Sequence, residues 1–249
     1  MEKPLSKTRI ALFDIAKTIA LVNMIAFHTL YDIVFIFGVS MPWFTSQGAF
    51  LWQQAICWTF ILVSGAVFPY SRNPFSHGII LLWAGLLLTA VTFWVMPSER
   101  ILFGILHCLG CAALISAFAY PLLRRVPPVL GTAVSFFAFL LTYSMPQGTL
   151  SLFGKTLVTL PAAWAQIPFL FPLGIVGADF FSSDYFPLFP WLFLYWTGLF
   201  LWRACEPKFG DTLRKMPQSR ACKFIARHSL LIYLLHQPIV YGVLYLIFT

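Results

Sequence analysis

Four ionisable side chains lie in one apolar stretch, "ALFDIAKTIALVNMIAFHTLYD" from Ala11 to Asp32: Asp14, Lys17, His28 and Asp32. A helix turns about 100° per residue, which puts Lys17 and His28 within about 20° of one line and Asp14 and Asp32 within about 60° of Lys17. All four occupy one stripe. Asp32, one turn beyond His28, is placed to orient the imidazole and stabilise its protonated form, as a general base requires. A purely structural histidine bonded between helices fits the same residues. Asp14 and Lys17 read either as the continuation of a polar path or as an intrahelical ion pair near the membrane interface, with Lys17 reaching out to water.

Other apolar runs carry two more histidines. His107 lies just inside a run that begins at Ile101, which predicts a depth like that of His28. His236, in "RHSLLIYLLHQP", follows the start of the last run closely, which predicts a depth nearer Lys17. Pro238 has no amide to donate, so it frees a carbonyl one turn earlier and marks either a kink beside a polar cavity or a structural bend. Cys108-Leu-Gly-Cys111 has the CxxC spacing, which in an apolar helix reads more simply as small packing residues than as redox or metal chemistry.

Charged groups at membrane depth cost about 2.5 to 3.5 kcal/mol each on insertion scales and usually face a bundle interior or a cavity. The elements that position these groups must therefore be membrane helices. Of 249 residues, 60% are hydrophobic and 10% charged, with mean hydropathy +0.84, against roughly 25% charged for a soluble domain. Seven spans are expected, near 10–37, 50–68, 78–95, 101–121, 129–143, 186–202 and 229–248, in one all-α polytopic bundle that takes residues 1–249 as a single domain.

A formal net charge of +8 sorts by membrane side, which argues against a nucleic-acid partner. Alternate connections place Lys3, Lys7, Arg9, Arg72, Arg124, Arg125, Arg203, Lys208, Arg214, Lys215, Arg220, Lys223 and Arg227 together, and only Arg100 and Lys155 opposite. The positive-inside rule then puts the N-terminus in the cytoplasm and the C-terminus outside. No cleavable signal peptide is expected, because the first apolar stretch is long and interrupted by charge. The five cysteines do not suggest a secreted disulfide framework.

Two connections stand out. Residues 144–185 are long, aromatic and rich in Pro and Gly, and are expected to fold back over the outer mouth as short interfacial or re-entrant pieces. "SRACKFIARH" reads as an amphipathic helix at the inner leaflet, serving either as a lipid anchor or as part of a ligand site.

The pattern Arg9-x4-Asp14-x2-Lys17-x10-His28, with "DYFPLFPW" at Asp184 to Trp191 and "RHSLLIYLLHQP" at Arg227 to Pro238, resembles the short bacterial branch of the heparan-alpha-glucosaminide N-acetyltransferase catalytic-domain family. The opening and closing motifs also resemble the wider group of transmembrane sugar acyltransferases. In that group an Arg and a His eleven residues apart on the first helix are functional; Lys17 stands here in place of the Arg, keeping the charge without the planar fork.

The resemblance implies an acetyl group taken from cytoplasmic acetyl-CoA and passed to a sugar-like or amine acceptor from the opposite side of a bacterial plasma membrane, with no metal required. It implies that His28 is the base, with Asp32 orienting it and His107 assisting. Arg9, Asp14, Lys17, Arg72, Arg124, Arg125, Arg227 and His236 are then the candidates for holding the donor, and Asp184, Tyr185 and Trp191 for holding the acceptor. The Asp184 motif alternatively reads as an aromatic belt with Asp184 capping the sixth span. Animal members of the family carry a catalytic histidine in the loop after the first helix, whereas "GVSMPWFTSQGAF" here has none.

Two other functions fit the same residues. A transporter or flippase would use the His and Asp groups as a proton relay. A haem-binding electron carrier would use the histidines as axial ligands.

Overall fold

The computed structural model describes residues 10–248, so Arg9, Lys3 and Lys7 lie outside the described residues. Eight helices follow in chain order: α1 Ala11–Tyr31, α2 Gln47–Val67, α3 Pro74–Val95, α4 Ile105–Leu123, α5 Pro128–Thr142, α6 Leu188–Arg214, α7 Arg220–Arg227 and α8 Ser229–Phe248. Among the described residues six helical segments are long and apolar enough to cross a bilayer: Ala11–Ile36, Gln47–Tyr70, Pro74–Val95, Ile105–Leu123, Pro128–Gln147 and Ser229–Phe248. The chain is an all-α, multi-pass membrane protein. It divides into two compact units, one from Met1–Val63 and Glu206–Thr249, the other Ser64–Cys205, with boundaries inside α2 and α6.

The expected span at 186–202 falls on the first part of α6. Its apolar run from Leu188 to Trp202 rises only about 22 Å at 1.5 Å per residue, against a hydrocarbon core of about 30 Å. Contacts inside the Ser64–Cys205 unit nevertheless run along the whole of α4. The Ile105 amide bonds Asp184, the Trp196 indole bonds Ser116, and Arg203 bonds the Leu123 carbonyl, all at separations of 79 to 80 residues. A constant separation means parallel helices in fixed register, so α6 from Leu188 to Arg203 runs beside the α4 span, and Asp184 sits at the mouth of α4, before either helix begins.

The other unit carries an independent count. Along α1 and α8, His28 meets His236, Asp32 meets Gln237, and Phe37, just after α1, meets Tyr241. Both members of each pair advance together, so α1 and α8 run in the same direction. First and last spans that point the same way require an odd number of crossings, and six spans plus α6 make seven.

Small residues close the bundle, as is usual where lipid supplies no hydrophobic drive between helices. α3 and α4 form an antiparallel hairpin in which a Cβ at Gly110 would lie 2.7 Å from Leu82 and one at Gly78 2.9 Å from Leu114. α2 approaches α6 closer still: a Cβ on Gly65 would sit 1.8 Å from the Tyr195 carbonyl oxygen. α5 packs antiparallel on α6 through the Thr197 to Ser135 hydroxyl bond (3.1 Å) and Phe139 against Trp191.

Residues 144–185 depart from the expectation of interfacial pieces alone. They include a two-stranded antiparallel hairpin, β1 Thr149–Leu152 and β2 Lys155–Thr159, closed by Phe153 and Gly154 at positive φ, followed by two 3-10 segments. Alternation in "TLSLFGKTLVT" around a Phe-Gly turn carries that hairpin.

Candidate active site

The stripe on α1 begins at its N-terminal end with Asp14, buried at 5% exposure, and Lys17, half-buried one turn on. Thr18 donates its hydroxyl to the Asp14 carbonyl (2.8 Å) and to the Cys222 carbonyl on α7 (3.2 Å). α7 therefore lies beside the second turn of α1. Leu21 and Met24 pack with Ile56 of α2, and Ile225, Ile232 and Tyr233 close over them.

That arrangement corrects the expected depth of His236. Sequence position alone starts α8 at the same plane as α1, but α7 first climbs alongside α1, so α8 begins level with Leu21 to Met24. His236 is thereby carried up to His28, and their ring centroids lie 5.0 Å apart at 60°. Phe27 presents its ring edgewise to His28 at 6.3 Å and packs on Phe44 and Trp52. The histidine-free stretch after α1 thus supplies an aromatic wall in the form of Phe44.

At His236, Nδ1 lies 2.6 Å from the Tyr233 carbonyl. A carbonyl only accepts, so Nδ1 carries the proton and the neutral ring keeps its lone pair on Nε2. Nε2 is buried and has no hydrogen-bond partner among the described residues.

One turn above His28, α1 passes into a single π-helical segment, Asp32–Ile36, a distortion common at functional sites. The Asp32 amide bonds the His28 and Thr29 carbonyls. Its side chain is fully buried, with Oδ1 accepting from Gln237 Nε2 at 2.7 Å. Gln237 did not emerge as a site residue from the sequence; its place beside His236, one turn after Tyr233 and before Pro238, was the available signal. α8 continues helically through Pro238.

His107, Asp184, Tyr185 and Trp191 belong to the other unit. His107 is buried, stacked on Phe103 at 5.6 Å, with Nδ1 facing a notch at Gly85, where a Cβ would lie 2.7 Å away. Asp184 caps a helix, but α4 rather than α6: its Oδ2 accepts from the Ile105 amide at 3.1 Å, and Gly104 leaves the space, since a Cβ there would lie 2.5 Å from the same oxygen. Burial raises this carboxyl from 3.8 to about 6, against the downward pull of the Ile105 bond.

Around Asp184 the chain is latched. The Leu102 amide bonds the Ser182 hydroxyl, the Ser183 hydroxyl bonds the Glu99 carbonyl, and the Phe186 amide bonds the Phe103 carbonyl. Tyr185 donates to the Phe171 carbonyl, and burial raises its phenol. Trp191 is buried among Phe139, Tyr143 and Phe186. The "DYFPLFPW" segment therefore fastens the α3–α4 connection to the entry of α6, and Trp191 offers packing instead of the open platform expected of it.

Arg72, Arg124, Arg125 and Arg227 are exposed. Arg203 is spent on the α4 C-terminus, bonding the Leu123 and Arg124 carbonyls at 3.0 and 2.9 Å. Cys108 and Cys111 are free thiols, and Cys108 is fully enclosed.

A family model described as heparan-alpha-glucosaminide N-acetyltransferase, catalytic, matches residues 9–238. The chain belongs to that family. The match runs from the head of the α1 stripe to Pro238, so it includes every residue of the His28, Asp32, His236 and Gln237 cluster. No curated protein and no solved structure matches the chain. Membership makes this a membrane acetyltransferase, in a family that in general uses acetyl-CoA.

Proposed function

We propose that the protein transfers the acetyl group of cytoplasmic acetyl-CoA to an amine or hydroxyl of a sugar-like acceptor held on the opposite side of a bacterial plasma membrane, and that the paired imidazoles of His28 and His236 form its proton-handling centre. The observation that carries this reading is the meeting of α1 and α8 at two imidazoles and a buried carboxyl, within a chain matched to the family almost end to end.

In the reaction, the acceptor nitrogen or oxygen attacks the thioester carbonyl, a C–N or C–O bond forms, and the C–S bond breaks. The acceptor's proton moves to an imidazole nitrogen, and the departing sulfur is protonated as the free thiol of coenzyme A. His28 is the sequence-predicted base. His236 Nε2, with its lone pair fixed by the Tyr233 bond, stands ready to take a proton passed on by its neighbour. Asp32, held by Gln237, lies one turn from His28 and is the positioning residue proposed for its imidazole. Within the unit that holds the two imidazoles, Lys17 is the group assigned to a phosphate of the donor, on the basic side that the positive-inside rule makes cytoplasmic.

The test is turnover by purified protein in lipid nanodiscs with acetyl-CoA, read as thiol release and as acetylated product, across glucosamine, other amino sugars, neutral sugars and simple amines. Acceptor-dependent thiol release with at least one of them is expected. No release above the acceptor-free rate with any of them, from folded protein that binds acetyl-CoA, would overturn the sugar-like acceptor; absence of acetyl-CoA binding would overturn the donor.

A further inference from the structure

Where α7 meets α8, Arg227, His228, Leu230, Leu231 and Leu234 line a shallow cavity of about 300 Å³. Its two ends differ in chemistry. One presents a guanidinium and an imidazole; the other is three leucines on the first turns of α8, with Leu231 53% exposed on the outer surface of the helix. His228 donates Nδ1 to the Phe224 carbonyl at 2.9 Å and lies against the Phe224 ring at 4.3 Å, tilted by 39°, which fixes the imidazole and leaves Nε2 for an outside partner. Arg227 makes no hydrogen bond or ion pair among the described residues.

α7 has two faces. Arg220, Lys223 and Arg227, all exposed, fall within an arc of about 60° at 100° per residue. Exposed Phe224 stands beside them. On the opposite side Ala226 is buried and the Cys222 carbonyl meets Thr18 of α1. The helix is thus fastened to the protein by its small residues and turns its cations and one aromatic ring away from it. Ser219 caps its start by accepting from the Cys222 amide at 3.0 Å.

We propose that this corner is a binding site for an anionic glycerophospholipid, with the headgroup phosphate on Arg227 and His228 and an acyl chain along Leu230, Leu231 and Leu234. A phosphate diester carrying an apolar tail matches both ends of the cavity. Phosphate recognition by a guanidinium is charge-assisted and bidentate, and basic residues on an amphipathic helix gain from an anionic leaflet. Coenzyme A shares the phosphate chemistry, but this lining holds no amide or hydroxyl side chain to meet its pantetheine. The site is independent of the acetyl-transfer reading.

The experiment is native mass spectrometry of the full chain in mild detergent, titrated with phosphatidylglycerol or phosphatidylcholine of equal chain length, with inorganic phosphate and coenzyme A as competitors. Wild type should prefer phosphatidylglycerol. Arg227→Ala should weaken that lipid about fivefold and weaken phosphatidylcholine, whose choline offsets its phosphate charge, by less; Arg227→Ala with His228→Ala should abolish the preference, and Arg227→Lys should keep most of it. Neither competitor should displace the lipid. Equal affinity for the two lipids, or an unchanged preference in the double variant, overturns the proposal, and displacement by coenzyme A would reassign the corner to the donor. If the alanine variants fail to fold, the wild-type preference must fall as salt rises, and a salt-independent preference refutes the phosphate contact.

Discussion

At the scale of residues, the site is held by hydrogen bonds that fix proton positions. His236 can give only Nδ1 to the Tyr233 carbonyl, and the buried Asp32 carboxyl is met by the amide of Gln237. Asp184 illustrates the energetics outside the spans. Its native carboxyl titrates at about 6 against 3.8 unperturbed. The folded state therefore binds this proton more tightly than the unfolded state, so the contribution to stability is full below pH 3.8 and is lost as pH rises through 6. Asp184→Asn keeps an oxygen for the Ile105 amide and removes the titration. We expect thermal unfolding of wild type to lose stability relative to Asp184→Asn between pH 4 and pH 7, whereas Asp184→Ala, lacking the cap, should be less stable than Asp184→Asn by about 1 kcal/mol at all pH values. A wild-type and Asn difference that stays constant across this window would contradict the assignment of the shift.

At the scale of elements, contact between helices depends on where side chains are missing. Gly65 of α2 faces the Tyr195 carbonyl so closely that any Cβ meets backbone, which cannot swing aside. Gly65→Ala should cost stability at the upper end of the roughly 1 to 3 kcal/mol typical of overpacking, measured by thermal unfolding, while Gly148→Ala, with nothing near its Cβ, should show only the backbone penalty of its positive φ. The helices themselves were legible as long apolar runs, and the α1 stripe followed from spacing alone. The partner of His28 was not legible. Depth along α8 depends on where the helix starts, and that is set by α7 climbing beside Thr18, a tertiary contact without a local signature. The same holds for Asp184, whose capped helix lies 79 residues earlier in the chain. The hairpin at 149–159 was missed because its strands are only four and five residues long and lie within an aromatic, Pro- and Gly-rich segment.

At the scale of the whole molecule, parallel α1 and α8 require an odd number of crossings, which the six long apolar helical segments meet once α6, with its short apolar run, is counted as a seventh. On the proposed topology the basic residues mark the cytoplasmic side and the C-terminal end of α8 lies on the other face. In a background without the five native cysteines, single cysteines at Arg72 and at Phe248 should show opposite accessibility to a membrane-impermeant maleimide in inside-out vesicles, with Arg72→Cys labelled and Phe248→Cys protected. Labelling of both from one side would remove α6 from the count of spans and with it the two-sided reaction.

The central claim is that the α1 and α8 imidazoles carry out acetyl transfer, and it is tested most directly by comparing wild type with His28→Ala in nanodiscs for two quantities at once: acetyl-CoA binding, read as a shift in thermal unfolding, and acceptor-dependent thiol release. A ligand at 100 times its Kd stabilises the native state by about 2.7 kcal/mol, enough to read both proteins on the same scale. His28→Ala should keep the acetyl-CoA shift and lose acceptor-dependent turnover by at least about 100-fold, the scale of a lost general base. Turnover in His28→Ala equal to that of wild type would contradict it.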